Sequence, residues 1–394
     1  MRPLDGIVVL DLTRFLPGAL ATASLAAFGA EVIKIEKPES GDPARHIQGA
    51  SWLFEETNRG KKSVALNLKD HRGKEAFLKL AKAADVLVES FRPGVMARLG
   101  LGYESLAALN QSLIYAAISG YGQDGPYSQV AGHDINYVAM SGLLPLLSPV
   151  SGPPLIPEIQ IADVAVGSSQ IVLGILLALQ SRHTSGRGQR VDVSLAGGMA
   201  DLLAFPLAAL RARGSPVQRG CELLSGAYAC YHLYRAKDGG WLAVGALEPK
   251  FWSNLCRQLQ CEDLIADQFS PEPRQCHVKE RLASAFAART AQEWFALLHE
   301  RDCCVTPVRT LQEAVADRRF DREPSTVLSA TPGEARTCPA PFLGEHSIQV
   351  LSRSGVTPAQ LRELESTGVI QVSRRPPTNE SRVVESAIDD SSKV

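Results

Sequence analysis

The chain lacks most of the features that lead quickly to a function. It has almost no net charge, since 41 Lys and Arg stand against 42 Asp and Glu. That balance removes the electrostatic case for nucleic acid or an anionic membrane as partner, so any anion site must be local. It has no CxxC pair among its eight cysteines, a spacing that argues against zinc or another bound metal. The cysteines are therefore expected to be reduced thiols, mostly buried. Met1-Arg2-Pro3-Leu4-Asp5-Gly6 holds a basic residue but no apolar stretch before the first strand-like run, so a cleaved secretory signal is not expected and the cytoplasm is the default location. The longest apolar stretch, Ile171 to Leu179, is too short for a bilayer and reads as a buried core helix. No internal repeat of solenoid period is present.

What remains is the texture of a two-domain globular protein, at 394 residues with 45% hydrophobic and 21% charged residues. Ile7 to Leu12, Val32 to Ile35, Ser63 to Leu66, Val86 to Glu89 and Leu113 to Ile118 are short apolar runs separated by helical segments such as Lys74 to Ala84. This β-α-β alternation predicts an α/β fold with a largely parallel, Rossmann-like sheet. Val164 to Gln180 reads as a long buried helix and Val191 to Val193 as a further strand. From Tyr228 the pattern changes, and two alternating runs joined by Lys237-Asp238-Gly239-Gly240 predict antiparallel strands in a smaller α+β domain. The expected organisation is a large domain over 1–197, a linker helix and loop over 198–224, a small domain over 225–305, a return linker over 306–330 and a second part of the large domain over 331–372. The stretch 373–394, polar and holding adjacent prolines, is expected to be disordered.

Gly120-Tyr121-Gly122-Gln123-Asp124-Gly125 formally matches the dinucleotide pattern G-x-G-x-x-G. It is rejected as one, because Pro126 and Tyr127 follow instead of a helix and the first βα turn carries Arg14-Phe15-Leu16-Pro17-Gly18. His133 follows a glycine that lets a ligand approach the backbone, and Asp163 stands before the long helix, where a carboxylate can also serve as an N-cap. Moving a proton on and off a carbon beside a carbonyl needs a base on one face and an acid on the other, which a His and a carboxylate can supply.

Gly132-His133-Asp134-Ile135-Asn136-Tyr137, Ala162-Asp163 and Leu247-Glu248-Pro249-Lys250-Phe251-Trp252 occur in the order and company seen in CoA-transferase family III (CaiB/BaiF). The chain resembles this family over roughly residues 3 to 370, most of all its α-methylacyl-CoA racemase branch. The resemblance implies His133 and Asp163 as the proton-transfer pair, Glu248 as the partner that orients the imidazole, and Asp134 as a hydrogen-bonding neighbour. It implies that the loop through Gly122 borders an acyl-CoA whose phosphates meet Lys37, Arg59, Lys61 and Arg92. CoA is then part of the substrate, with no separate cofactor, and the chains are expected to form an interlocked homodimer. In the transferase branch the counterpart of Asp163 is a covalent nucleophile, so acyl transfer is the enzymatic alternative, and a silent CoA-binding protein the non-enzymatic one.

Overall fold

β-Branched and leucine residues at Val8–Leu12 (β1), Glu31–Glu36 (β2), Lys62–Leu66 (β3), Val86–Glu89 (β4) and Ile114–Ser119 (β5) are nearly all buried, as strands covered on both faces require. With Arg190–Ser194 (β6) they form one parallel sheet in the order β3-β2-β1-β4-β5-β6. The register is tight: Leu10 sits opposite Ile33 on one side and Leu87 on the other. Later strands are Tyr231–Arg235 (β7), Trp241–Gly245 (β8), Val305–Pro307 (β9) and Ile370–Gln371 (β10). β10 adds an antiparallel edge to β3, with Ile370 opposite Leu66.

The protein is known here as a computed structural model that describes residues 2–148, 152–317, 326–331, 333–334 and 338–373. The stretch read as disordered therefore falls, beyond Ser373, outside the described residues. The chain divides into two compact units. One takes residues up to Pro145, Ile156–Leu202 and the described residues after 323, and the other takes Leu146–Leu155 and Leu203 onward to 322.

Both ends of the chain build the first unit. Val350, Leu351, Leu361 and Leu364, from helices Ser347–Arg353 and Pro358–Ser366, are buried in one core with Leu10, Ile33, Phe77 and Leu87. The Ser347 hydroxyl donates to the Gln371 carbonyl at 2.8 Å and accepts from the Ala65 N–H at 3.1 Å, stitching this segment to β3.

In the second unit β7, β8 and β9 form an antiparallel sheet. Trp252, Leu255, Phe286, Trp294 and Val244 make its core. The stretch expected to begin a return linker at 306 is still structured, because β9 runs to Pro307 and the Val308 N–H donates to the Trp241 carbonyl at 2.8 Å.

Two expectations need correction. The stretch read as a buried core helix is part of a helical run from Ile161 to Ser185, long and apolar enough by composition to cross a membrane. It packs against β5 and β6, burying Ile171, Ile175 and Ala178, while Leu173 and Leu177 remain 50% and 61% exposed. A continuous apolar run does not say which of its faces its own chain will cover. The eight cysteines are free as expected, but only Cys230, Cys256, Cys261 and Cys303 are buried, whereas Cys221, Cys276, Cys304 and Cys338 are exposed.

Candidate active site

The six parallel strands share one direction, and the loops at their carboxyl ends line a cavity of about 970 Å³ in the first unit. The adjacency of β1 and β4, where the strand order reverses, is where open α/β sheets form their ligand crevice. Thr13, Arg14, Phe15 and Pro17 line it after β1, Lys37 after β2, Lys69 after β3, and Ser90, Phe91, Arg92 and Arg98 after β4. Ser119 at the end of β5, then Gly120, Gly132, His133 and Tyr137, with Leu195 after β6, complete the wall. Asp163 faces the same cavity from the start of the long helical run.

Cations therefore gather over β3, β2, β1 and β4, while His133 and Asp163 stand towards β5 and β6. His133 is the N-cap of helix Asp134–Met140, and its backbone N–H donates to the Asn136 Oδ1 at 3.0 Å. The turn before it is set by Tyr137, whose hydroxyl donates to the Gly132 carbonyl at 2.5 Å. A Cβ on Gly120 or Gly132 would stand 2.4 or 2.7 Å from the Tyr137 ring, so both positions exclude any larger residue. Burial pushes the Tyr137 phenol up to about 12, helped by the charge of Asp163, so it stays a hydroxyl donor at neutral pH.

Asp163 is not an N-cap, a correction to the sequence reading. It is the third residue of a wide π-helical stretch, Ile161–Ser168, which Gln160 caps. Such segments recur at functional sites because the extra residue per turn re-aims side chains. The Ser168 hydroxyl holds the stretch by donating to the Pro17 carbonyl at 2.8 Å, and the Asp163 N–H donates to the Asp134 Oδ1 at 2.9 Å. Burial raises the Asp163 carboxyl and the Asp134 charge raises it further, to about 7.

The anion-binding residues sort differently from the sequence reading. Lys37 and Arg92 are exposed and line the cavity. Lys61 does not. Its ammonium is enclosed by Asp11 Oδ2, Asn58 Oδ1, the Thr22 hydroxyl and the Ala19 carbonyl, all between 2.8 and 3.0 Å away. No donor is left for a phosphate. Arg59 is also away from the cavity wall, paired with Glu56 at 2.9 Å. Gly122, with φ of +89°, lies beside the Ser194 side chain and does not line the cavity; Gly120 does. Glu248 belongs to the second unit, where it is exposed and caps helix Pro249–Gln258.

Sequence reasoning passed over Arg14, Lys69, Arg98, Ser119 and Phe15. Arg14 and Lys69 follow strand ends as Lys37 and Arg92 do, so asking for a cation after every parallel strand would have found them, whereas Arg98 closes the short helix Val95–Arg98 and carries no such signal. The Ser119 hydroxyl is buried, lines the cavity and has no protein partner among the described residues. Arg14 lies with its guanidinium 4.9 Å from the Phe91 ring centre, and its N–H donates to the Ser90 hydroxyl at 2.9 Å. The wall thus combines several cations, a His and a raised carboxyl, a set suited to an anionic ligand with a reactive end.

The profile of CoA-transferase family III matches residues 4–353. Human α-methylacyl-CoA racemase (Homo sapiens) is 35% identical over 383 residues, covering 93% of this chain and 97% of that protein. Succinyl-CoA:glutarate CoA-transferase of Mus musculus is 32% identical over 379 residues, covering 89% of this chain and 86% of the relative. Among solved structures, a protein of Mycobacterium tuberculosis superposes with a TM-score of 0.78 at 31% identity, covering 89% of this chain and 99% of the other. A CaiB/BaiF family protein from Brucella suis gives 0.76 at 27%, covering 90% and 99%. The chain belongs to CoA-transferase family III, an enzyme family with both racemases and CoA-transferases among its members.

Proposed function

We propose that the protein is a racemase or epimerase of 2-methylacyl-CoA thioesters, working by proton transfer at Cα through an enolate. The observation that carries this reading is that His133 and Asp163 line one cavity, with the Asp163 carboxyl raised to about 7. A group that must both take and return a proton near neutral pH works best with its pKa there. A carboxylate meant only to attack a thioester gains nothing from being half protonated. One of the two residues removes the Cα proton and the other returns one to the opposite face. Backbone N–H groups at the start of the π-helical stretch are the donors proposed for the enolate oxygen. Glu248 is given the orienting role that the resemblance implies, and Lys37 and Arg92, joined by Arg14, Lys69 and Arg98, the CoA phosphates. CoA is part of the substrate, so no separate cofactor is required. The working form is proposed to be an interlocked homodimer in the cytoplasm.

Acyl transfer to a free carboxylate, with Asp163 as nucleophile, is the second reading, and the 32% identity to a succinyl-CoA:glutarate CoA-transferase favours it. Mass spectrometry after hydroxylamine treatment separates the two. The racemase reading expects no Asp163 adduct and turnover without an acceptor acid. An adduct together with acceptor-dependent thioester formation would replace it with acyl transfer.

A further inference from the structure

Phe15 holds a backbone conformation that a bulky residue adopts only under constraint: its φ is +60° at the first residue of helix Phe15–Ala27. Such an outlier persists when the surroundings over-determine it, and it then points towards function. The constraints are visible. The Phe15 N–H donates to the Asp42 Oδ1 at 3.3 Å, and Asp42 is itself buried against the Lys34 ammonium at 2.9 Å. Lys34 also donates to the Thr13 carbonyl at 2.9 Å. The Thr13 N–H and hydroxyl both donate to Asp11 Oδ1, at 2.9 and 2.6 Å. Every residue from Asp11 to Phe15 is thus held, Leu12 by its pairing with Glu89 in the sheet and Arg14 through Ser90.

The ring that this strained turn presents is 38% exposed, lines the cavity and meets the His133 imidazole at right angles, with centres 6.2 Å apart. Phe15 leaves the sheet at β1, among the cation-bearing loops, yet its ring meets His133 from the β5 side of the cavity. Nothing in the phosphate-binding role calls for an aromatic ring there. A ring edge against an imidazole restricts rotation of that imidazole, and a phenyl group beside the reacting end occupies space an acyl chain would otherwise take.

We propose that Phe15 is a positioning and specificity-determining residue: it fixes the orientation of His133 and limits the bulk of the acyl group beside it. The inference rests on the proton-transfer reading of His133.

The test compares wild type with Phe15→Leu and Phe15→Gly. Cα proton exchange in deuterated water is followed by NMR for 2-methylbutanoyl-CoA and for a 2-arylpropanoyl-CoA. The His133 imidazole resonance and the melting temperature are recorded alongside. Phe15→Leu is expected to lower kcat for exchange about tenfold on both substrates, with KM changed less than threefold. It should also raise the kcat/KM ratio of bulky to small substrate about fivefold and shift the His133 signal. Phe15→Gly, which relieves the backbone, should give the same kinetic pattern and so guards against a folding defect in the first variant. Wild-type exchange with both variants within twofold of it and an unchanged substrate ratio would overturn the role of Phe15 and leave the chemistry of His133 standing. Absence of exchange in the wild type itself would overturn the proton-transfer reading and the role of Phe15 together.

Discussion

Asp11 and Asp163 are carboxylates of the same unit, and they show what burial does with and without a countercharge. Burial raises both. At Asp11 the ammoniums of Lys34 and Lys61, with the hydroxyls of Thr13 and Thr22, more than reverse that effect and hold the carboxyl well below the usual range. Burial draws the Lys61 ammonium down to about 8, yet its four acceptors keep it charged at neutral pH. At Asp163 a second carboxylate, Asp134, is the neighbouring charge, so the shift keeps its sign and the group stands near 7. The compensated pair fixes the backbone under the cavity, and the uncompensated acid is left able to exchange a proton inside it.

The largest expected effect breaks the Asp11 side of this comparison. Lys61→Met leaves a buried carboxylate short of one cation and is expected to cost about 3–5 kcal/mol of stability. Denaturant unfolding measures it. A variant that unfolds like wild type but has a raised KM would return Lys61 to the phosphate site.

The Asp163 side sharpens through pH. A folded-state pKa raised to about 7 from 3.8 means the native state holds its proton longer than the unfolded chain does. The stability this contributes is fully present below about pH 4 and is lost as pH rises through 7. Asp163→Asn has no such loss. Its melting temperature relative to wild type should climb between pH 4 and 8, by an amount corresponding to roughly 2–4 kcal/mol at most. Glu89, raised to about 7 by burial, adds a loss of the same sign in both proteins and cancels in the difference. A flat difference across that range would mean Asp163 is not destabilised when charged.

The smallest effects separate cavity cations from surface ones. Arg98→Ala is expected to raise KM for an acyl-CoA by about 1.5–3 kcal/mol, the worth of a charge-assisted hydrogen bond, with kcat little changed. Arg59→Ala loses only an exposed pair with Glu56, worth about 0–1 kcal/mol in stability, and should leave KM alone. Equal KM effects from the two would mean that lining the cavity is not what selects the phosphate ligands.

The parallel strands were legible because each is a short run of apolar residues buried on both faces, with turn residues between, as at Val86–Glu89. His133 and Asp163 stood out in the sequence as residue types able to move a proton, their pairing and the part of Glu248 came from the resemblance, and the structure places the first two on one cavity wall. Lys61 was misread because Asn58-Arg59-Gly60-Lys61-Lys62 looks like a solvated basic loop. Sequence spacing does not reveal that Lys61 turns inward to Asp11, 50 residues away. Phe15 was invisible for a related reason, since a left-handed backbone at a bulky residue is imposed by distant partners, Asp42 and Lys34, and no local pattern encodes it. Residues selected by long-range electrostatics are the ones a reading along the chain loses.

The central claim is that His133 and Asp163 move a proton at Cα. It is tested most directly by incubating a single-enantiomer 2-methylacyl-CoA with the protein in deuterated water, with no acceptor acid, and following configuration and deuterium content together. The account predicts inversion accompanied by one deuterium at Cα, abolished in His133→Ala and in Asp163→Asn. Retained configuration without deuterium, with thioester exchange appearing only when a carboxylic acid is added, would contradict it.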